Sequence, residues 1–274
     1  MRTTKKIAII TSVLAGAAAP ALAVAPAAGA QAAPAWYAYH GATAAQSVQR
    51  VHQLKSQGYR PITVNVSDGE RYAAVWVKDG SSTEWGIWQG MSPAEFQQRF
   101  DAALKTGAQP VSVSATGSGD SVVFAAIFEK KSGRFYTKSN LTPDAFGAAN
   151  KDFAKKGLAL SSVDAYGTPG DIRYVGVWTA NPGGAWYYSY GKSSAAHQAY
   201  FNAKKKQGFR PVKVAVAPDG TYSAVWRKDG RTSWAEYTGM SASGYQKRFN
   251  DLKRKGLYPV QVNAENGTYA AVWQ

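Results

Sequence analysis

Apolar residues recur along this chain in three patterns that succeed one another. Around Ile62, Val64 and Val66 they occupy every second position, with Thr63 and Asn65 between them. That is the period of a strand. Val212, Val214 and Val216 repeat the pattern, as do Val260, Val262 and Ala264. A turn marked by Asp68-Gly69, Asp219-Gly220 or Asn266-Gly267 follows, a strong hairpin signal. The chain then runs apolar at nearly every position, as "YAAVWVKDG" from Tyr72 and "YSAVWRKDG" from Tyr222. A strand without a polar side is covered on both faces, which places it in the middle of a three-stranded antiparallel meander. Upstream of each alternating strand, apolar residues recur at three and four positions, as in Phe96, Phe100 and Ala103 or Tyr245, Phe249 and Leu252. This spacing predicts a helix with one face turned inward.

The same succession returns five times. The aromatic residue opening each copy is Trp36, Trp85, Phe135, Trp186 or Trp234, at intervals of 49, 50, 51 and 48 residues. A repeat this regular is one supersecondary unit whose length changes fall in turns. Helix N-caps are predicted at Thr43, Ser92, Thr142, Ser193 and Ser241, and left-handed glycines after the helices at Gly58, Gly107, Gly157, Gly208 and Gly256. Two further columns align in the apolar strand: Tyr72, Phe124, Tyr174, Tyr222 and Tyr269, then Trp76, Phe128, Trp178, Trp226 and Trp273. The "KDG" after the apolar strand reads as a second hairpin turn into a third strand. The described succession starts on such a third strand at Trp36 and ends, at Gln274, directly after a middle one. The fold class expected is therefore an α+β repeat protein, a five-bladed propeller-like closed ring. Each blade is a helix plus a three-stranded meander, and the N-terminal strand completes the last blade.

Residues 1–32 have a basic start, an Ala-rich apolar stretch and small residues before Ala30 and Ala32. This is the pattern of a secretory signal peptide, so residues 33–274 are expected to form one domain of five repeats, released outside the cell without a membrane span. There is no Cys, so apolar burial has to stabilise the domain. The formal net charge is +15, and since Arg2, Lys5 and Lys6 are the charged residues before position 33, +12 remains after it. An anionic partner is compatible with that charge, as is a merely solvated cationic surface.

The order "W…HG", capped helix, "GYRP", alternating strand, "DG" and "YAAVW" resembles the bacterial tandem-repeat domain that also forms the N-terminal region of polyglycine hydrolases. There it precedes a β-lactamase-like serine hydrolase domain and is similar to a small propeller-like ring. The resemblance covers residues 36–274 and includes no hydrolase domain, so it implies a non-catalytic recognition module and names no ligand. Only the first copy has the His before its Gly, at His40; the others carry Gln89, Ser139, Tyr190 and Thr238.

Catalytic and metal signals are weak. Ser189 to Lys192 reads S-x-x-K and Lys105 to Gly107 reads K-T-G, in the reverse of the order a β-lactamase-like site uses. His197 falls in the column of Phe96, Phe146 and Tyr245, which fits a core slot, and Asp68, Asp79, Asp219 and Asp229 all precede Gly in turns. No cofactor or metal is expected. Eight of the nine Trp fall in the repeat columns, leaving Trp88 outside them. Candidate ligand contacts are therefore His40, Trp88 and Gln89, together with Tyr187, Tyr188 and Tyr190 in "WYYSYG". A second set is the basic helix ends at Lys155 and Lys156, Lys204, Lys205 and Lys206, and Lys253, Arg254 and Lys255. The partner expected is an extracellular glycan, an anionic cell-wall polymer or a secreted protein, with nucleic acid ranked last and the chain monomeric. An inhibitor or recognition subunit for another secreted protein is the first alternative. A serine-hydrolase-like enzyme with a scattered site including His40 is the second.

Overall fold

The computed structural model describes residues 33–274, so the leader expected at 1–32 lies outside the described residues. Each unit folds as strand, helix, strand, strand. In unit one these are β1 (Ala35–Ala42), α1 (Ala44–Ser56), β2 (Arg60–Ser67) and β3 (Arg71–Lys78). Unit two has β4 (Trp85–Met91), α2 (Pro93–Thr106), β5 (Ala108–Thr116) and β6 (Val123–Lys130). Unit three has β7 (Phe135–Leu141), α3 (Pro143–Lys155), β8 (Leu158–Thr168) and β9 (Asp171–Ala180). Unit four has β10 (Trp186–Lys192), α4 (Ser194–Lys206), β11 (Arg210–Val216) and β12 (Tyr222–Arg227). Unit five has β13 (Ala235–Met240), α5 (Ala242–Arg254), β14 (Pro259–Glu265) and β15 (Thr268–Trp273).

The helices start and stop where their sequence signals lie. Thr43, Ser92, Thr142, Ser193 and Ser241 each accept a hydrogen bond from the backbone N–H three residues on, which satisfies a donor that the helix itself leaves free. Thr43 with Gln46, and Ser92 with Glu95, complete reciprocal capping boxes. The glycines that follow, Gly58, Gly107, Gly157, Gly208 and Gly256, all have φ between 72° and 81°. A Cβ is unfavourable in that left-handed region.

Strand order departs from the expected meander. All five sheets place the last strand of the unit between the other two, as β1-β3-β2, β4-β6-β5, β7-β9-β8, β10-β12-β11 and β13-β15-β14. The apolar strand is central, as its pattern requires, but its second neighbour is the strand that opens its own unit. Trp36 to Tyr39 of β1 pair with Val77 to Ala74 of β3, so the N-terminal strand belongs to unit one and does not complete unit five. The reason is the helix: β1 and β2 run parallel, joined by α1, and such a connection needs a crossover that lays the helix on the sheet and leaves room for β3 between them. The "KDG" segment is accordingly a link between units. Its Asp79 is held by Arg60 (Nη2 to Oδ2 2.6 Å), and Asp229 is held by Arg210 in the same way (2.6 Å). The Arg60 guanidinium keeps the Asp79 carboxyl below its usual range.

Both faces of each central strand are buried because neighbouring units stack on them. One face of unit one, Tyr72, Ala74 and Trp76, packs with its own Leu54 and with Ala125 and Ile127 of unit two. Phe124, Ala126 and Phe128 meet Val175 and Val177 of unit three, and Trp178 meets Val225 of unit four. Tyr222 meets Ala270 and Val272 of unit five, and Tyr269, Ala271 and Trp273 meet Ala73 and Val75 of unit one. The small residues at 74, 126 and 271 permit this close approach, while the aromatic ones fill the space beneath the helix. Strands β2, β5, β8, β11 and β14 neighbour one another in that order, and β14 lies against β2. Among the described residues no helix is long and apolar enough to cross a membrane.

Trp76 is fully buried and meets Trp85 of unit two edge-to-face at 5.6 Å. Trp76→Ala is therefore expected to cost about 3–5 kcal/mol, read as a lowered urea midpoint in equilibrium unfolding.

Candidate functional site

The residues before the bulge of each first strand sit at the seams between units. Gly41, Gly90, Asn140, Gly191 and Gly239 all have positive φ at that bulge, and the side chains of His40, Gln89 and Tyr190 just before it reach the helix of the previous unit. His40 Nε2 lies 3.0 Å from Gln246 Oε1 on α5, with its ring edge-on to Tyr245 and Tyr269. Gln89 exchanges hydrogen bonds with Ser47 on α1, which also meets the Tyr39 hydroxyl at 2.8 Å. Tyr190 lies over Phe146 and Gly147 on α3; a Cβ on Gly147 would stand 2.4 Å from the Tyr190 hydroxyl. Trp88 packs edge-on against Phe128 at 5.2 Å, with the Arg99 guanidinium 5.7 Å from its centroid. The sequence candidates are thus spread over separate seams.

One group does converge. Tyr187, Tyr188 and Tyr190 line a shallow cleft of about 490 Å³ with Ser189, Lys192 and Tyr200. They stand on β10, an edge strand, and Tyr200 comes from α4 of the same unit. Tyr188 and Tyr190 stack at 6.2 Å with 12° between their planes, and Tyr187 and Tyr200 lie 5.8 Å apart. Tyr187 is exposed at 43%, so part of its ring remains open to a ligand. Burial, and a hydrogen bond donated to Tyr187, push the Tyr200 hydroxyl up, so it stays protonated. Lys204, a candidate from the basic set, places Nζ 3.7 Å from the Tyr187 centroid. Lys155, Lys156, Lys205, Lys206, Lys253, Arg254 and Lys255 are exposed at equivalent helix ends, and Lys253 lies near Trp36.

The hydrolase-like fragments have structural roles. Ser189 Oγ accepts the Trp226 indole N–H at 3.2 Å, and Gly107 is the left-handed residue after α2. His197 fills a core slot, with Nε2 3.3 Å from the buried Glu236 carboxylate of unit five. Among the described residues no group of three or more His, Cys, Asp or Glu could hold a metal.

The description "polyglycine hydrolase-like, structural repeat" matches the chain five times, over residues 33–79, 82–131, 132–181, 183–229 and 231–274. The chain belongs to this family of repeats. Each match begins before a first strand and ends at a central one, so a family repeat coincides with one sheet and its helix. None of the five matches is a hydrolase domain.

What the sequence concealed is a polar layer where the inner strands of these repeats meet. The polar positions that alternate with Val64 and Val66 face one another there, and they are buried. Ser112 and Ser114 accept the backbone N–H groups of Val64 and Val66 in the preceding repeat. Asp164 accepts from Ala115 N, Gln261 and Asn263 from Val214 and Val216, and Asn65 from Ala264 of repeat five. Every side chain here satisfies a backbone donor that no ladder reaches. Asp164 also accepts from Ser114 and Asn263, and Glu265 accepts from Thr116. Burial nonetheless pushes the Asp164 carboxyl up to about 6, and burial together with the Asp164 charge pushes Glu265 up to about 8. Lys213 faces the same layer; it keeps some accessible surface yet is ringed by protein, and this burial brings it down to about 8.

Both carboxyls bind protons more tightly in the folded state than in the unfolded chain, where their usual values are 3.8 and 4.5. Their contribution to stability is thus full below about pH 4 and is lost as pH rises through 6 and then 8. Lys213 acts oppositely, adding stability between pH 8 and its ordinary 10.5. Urea midpoints are therefore expected to fall from pH 5 to pH 8, and the double variant Asp164→Asn, Glu265→Gln is expected to flatten that slope.

Proposed function

We propose that this chain is a secreted, non-catalytic recognition module whose five repeats form a propeller-like closed ring. It engages an extracellular glycan or wall polymer through the tyrosine cleft of unit four. The observation that carries the reading is the convergence of Tyr187, Tyr188, Tyr190 and Tyr200 beside Lys192 and Lys204. Aromatic faces of this kind stack on the C–H face of a sugar ring, and phenolic hydroxyls take up its polar edge. The lysines add attraction for a phosphate- or carboxylate-bearing polymer, an effect that salt screens. Export is supported by the leader pattern of residues 1–32.

Support for closure comes from the contacts of the last unit with the first. Ala264 N donates to Asn65 Oδ1 at 3.0 Å, and Ala73 and Val75 pack in the core of unit five. Ala33 and Pro34 line one cleft with Gln274, so the start of the first repeat lies beside the end of the fifth. A circular permutant joining Gln274 to Ala33 through a short Gly-Ser linker and opened between Ser81 and Ser82 is expected to melt within a few degrees of the parent. An open array would instead lose its order of units and much of its stability.

The binding reading is tested by retention on insoluble cell walls, chitin, cellulose and immobilised heparin at low and high salt. Tyr187→Ala is expected to weaken retention about tenfold, close to 1.4 kcal/mol, without changing the melting temperature. Full retention by that variant, or turnover of an ester or peptide substrate by the purified protein, would overturn it.

A further inference from the structure

Seams between units follow one pattern, and the seam joining units two and three departs from it. The Tyr72, Tyr174 and Tyr269 hydroxyls lie beside Gly90, Gly191 and Gly41, the bulge residue of the next unit round. In unit two that column holds Phe124, which has no hydroxyl to offer. The waiting N–H of Asn140 is taken instead by the Tyr166 hydroxyl of its own unit, at 2.8 Å. The neighbouring seam position, His40, Gln89 or Tyr190 at three other seams and Thr238 at the seam of units four and five, is Ser139 here. Every other seam keeps its tyrosine, and three of them also keep the larger side chain; this seam has neither.

The hairpins above the gap are also altered. Units one, four and five turn tightly at Asp68-Gly69, Asp219-Gly220 and Asn266-Gly267. Unit two instead makes a 3-10 turn at Gly119–Ser121, and the β8–β9 ladder runs on to pair Thr168 with Asp171. Gly167 N donates to Gly117 O at 3.0 Å, tying the two hairpins together. A Cβ on Gly117 would stand 2.5 Å from Ser121 O and one on Gly167 2.2 Å from Asp171 O, both at positive φ. The loops are thus fixed in position by backbone packing, and between them lies a cleft of about 370 Å³.

We infer that this cleft is a second binding site, distinct from the tyrosine cleft, for a neutral hydroxyl-rich sugar ring. The wall contributed by Pro93 and Val122 is apolar, and Ser139, Asp120, Asp171 and Arg173 are set around it. Carboxylates only accept, so Asp120 and Asp171 call for a ligand rich in O–H donors. Asp171 already pairs with Arg173 at 2.8 Å, which leaves no free cation to attract an anion. A purely apolar ligand would strip water from the carboxylates and return nothing for it. The volume suits a single ring with its hydroxyls, at the small end of ligand pockets.

The test is saturation-transfer NMR and calorimetry on the whole protein with glucose, mannose, galactose and N-acetylglucosamine, and glucuronate as the anionic control. At least one neutral sugar is expected to bind at millimolar concentration. Ser139→Gln, which installs the residue found at Gln89, is expected to lower that affinity about tenfold by refilling the seam. Asp120→Asn changes an exposed loop residue and is expected to weaken binding several-fold; it decides the matter should Ser139→Gln lose its cooperative melt. Tyr187→Ala is expected to leave this binding untouched, which separates this site from the one on unit four. Silence from every neutral sugar, preference for glucuronate, or wild-type binding by both Ser139→Gln and Asp120→Asn would each refute the assignment.

Discussion

Everything in this molecule depends on the two-sided burial of the central strands. Tyr72, Ala74 and Trp76 present one apolar face to their own helix and to unit two, while Ala73 and Val75 present the other to unit five. A single sheet of this kind would leave one oily face in water, which is unfavourable by roughly 25 cal/mol for each Å² of apolar surface. Only a neighbour resolves that, and the neighbour has the same difficulty. Stability is therefore shared among the units, and the chain does without disulfides because each unit supplies the lid of the next.

The same stacking dictates the polar layer. When apolar faces are brought together, the inner strands β2, β5, β8, β11 and β14 crowd at a common line. No further strand can pair with their inner edges, so backbone donors there must find side chains. Serine, asparagine, glutamine and aspartate fill that need with short reach, each bonding to a strand of the preceding unit. The acid groups in this layer are accordingly held out of water, and their raised proton affinity follows from the packing around them.

Local signals in the sequence had local counterparts in the structure. Thr43 and Ser92 cap helices, Gly107 and Gly208 end them in the left-handed conformation, and Trp76 is a core residue. Strand order was not legible, because a turn such as Lys78-Asp79-Gly80 has the same composition whether it closes a hairpin or links two sheets. What separates the cases is the distant Arg60 that grips Asp79. Burial of Asn65 and Asp164 was hidden for a related reason: an alternating strand shows which residues share a face, and only the neighbouring unit decides whether that face meets water. The tyrosines of "WYYSYG" were legible as an excess of aromatics, but Tyr200 joins them from a helix, and the opening at Ser139 exists only in comparison with filled seams.

Because each first strand pairs inside its own unit, no sheet spans two units, and the covalent link between them is a short segment pinned by an arginine–aspartate pair in units one and four. Duplication or loss of a whole repeat by unequal recombination would break no backbone ladder. In a closed ring of the kind proposed above, the number of units would follow from the wedge angle at which two apolar faces meet, where Ala74, Ala126 and Ala271 lie. Enlarging that column would splay the wedges and change the count a chain of these repeats can accommodate, so this line of alanines is a lever on the architecture's evolution.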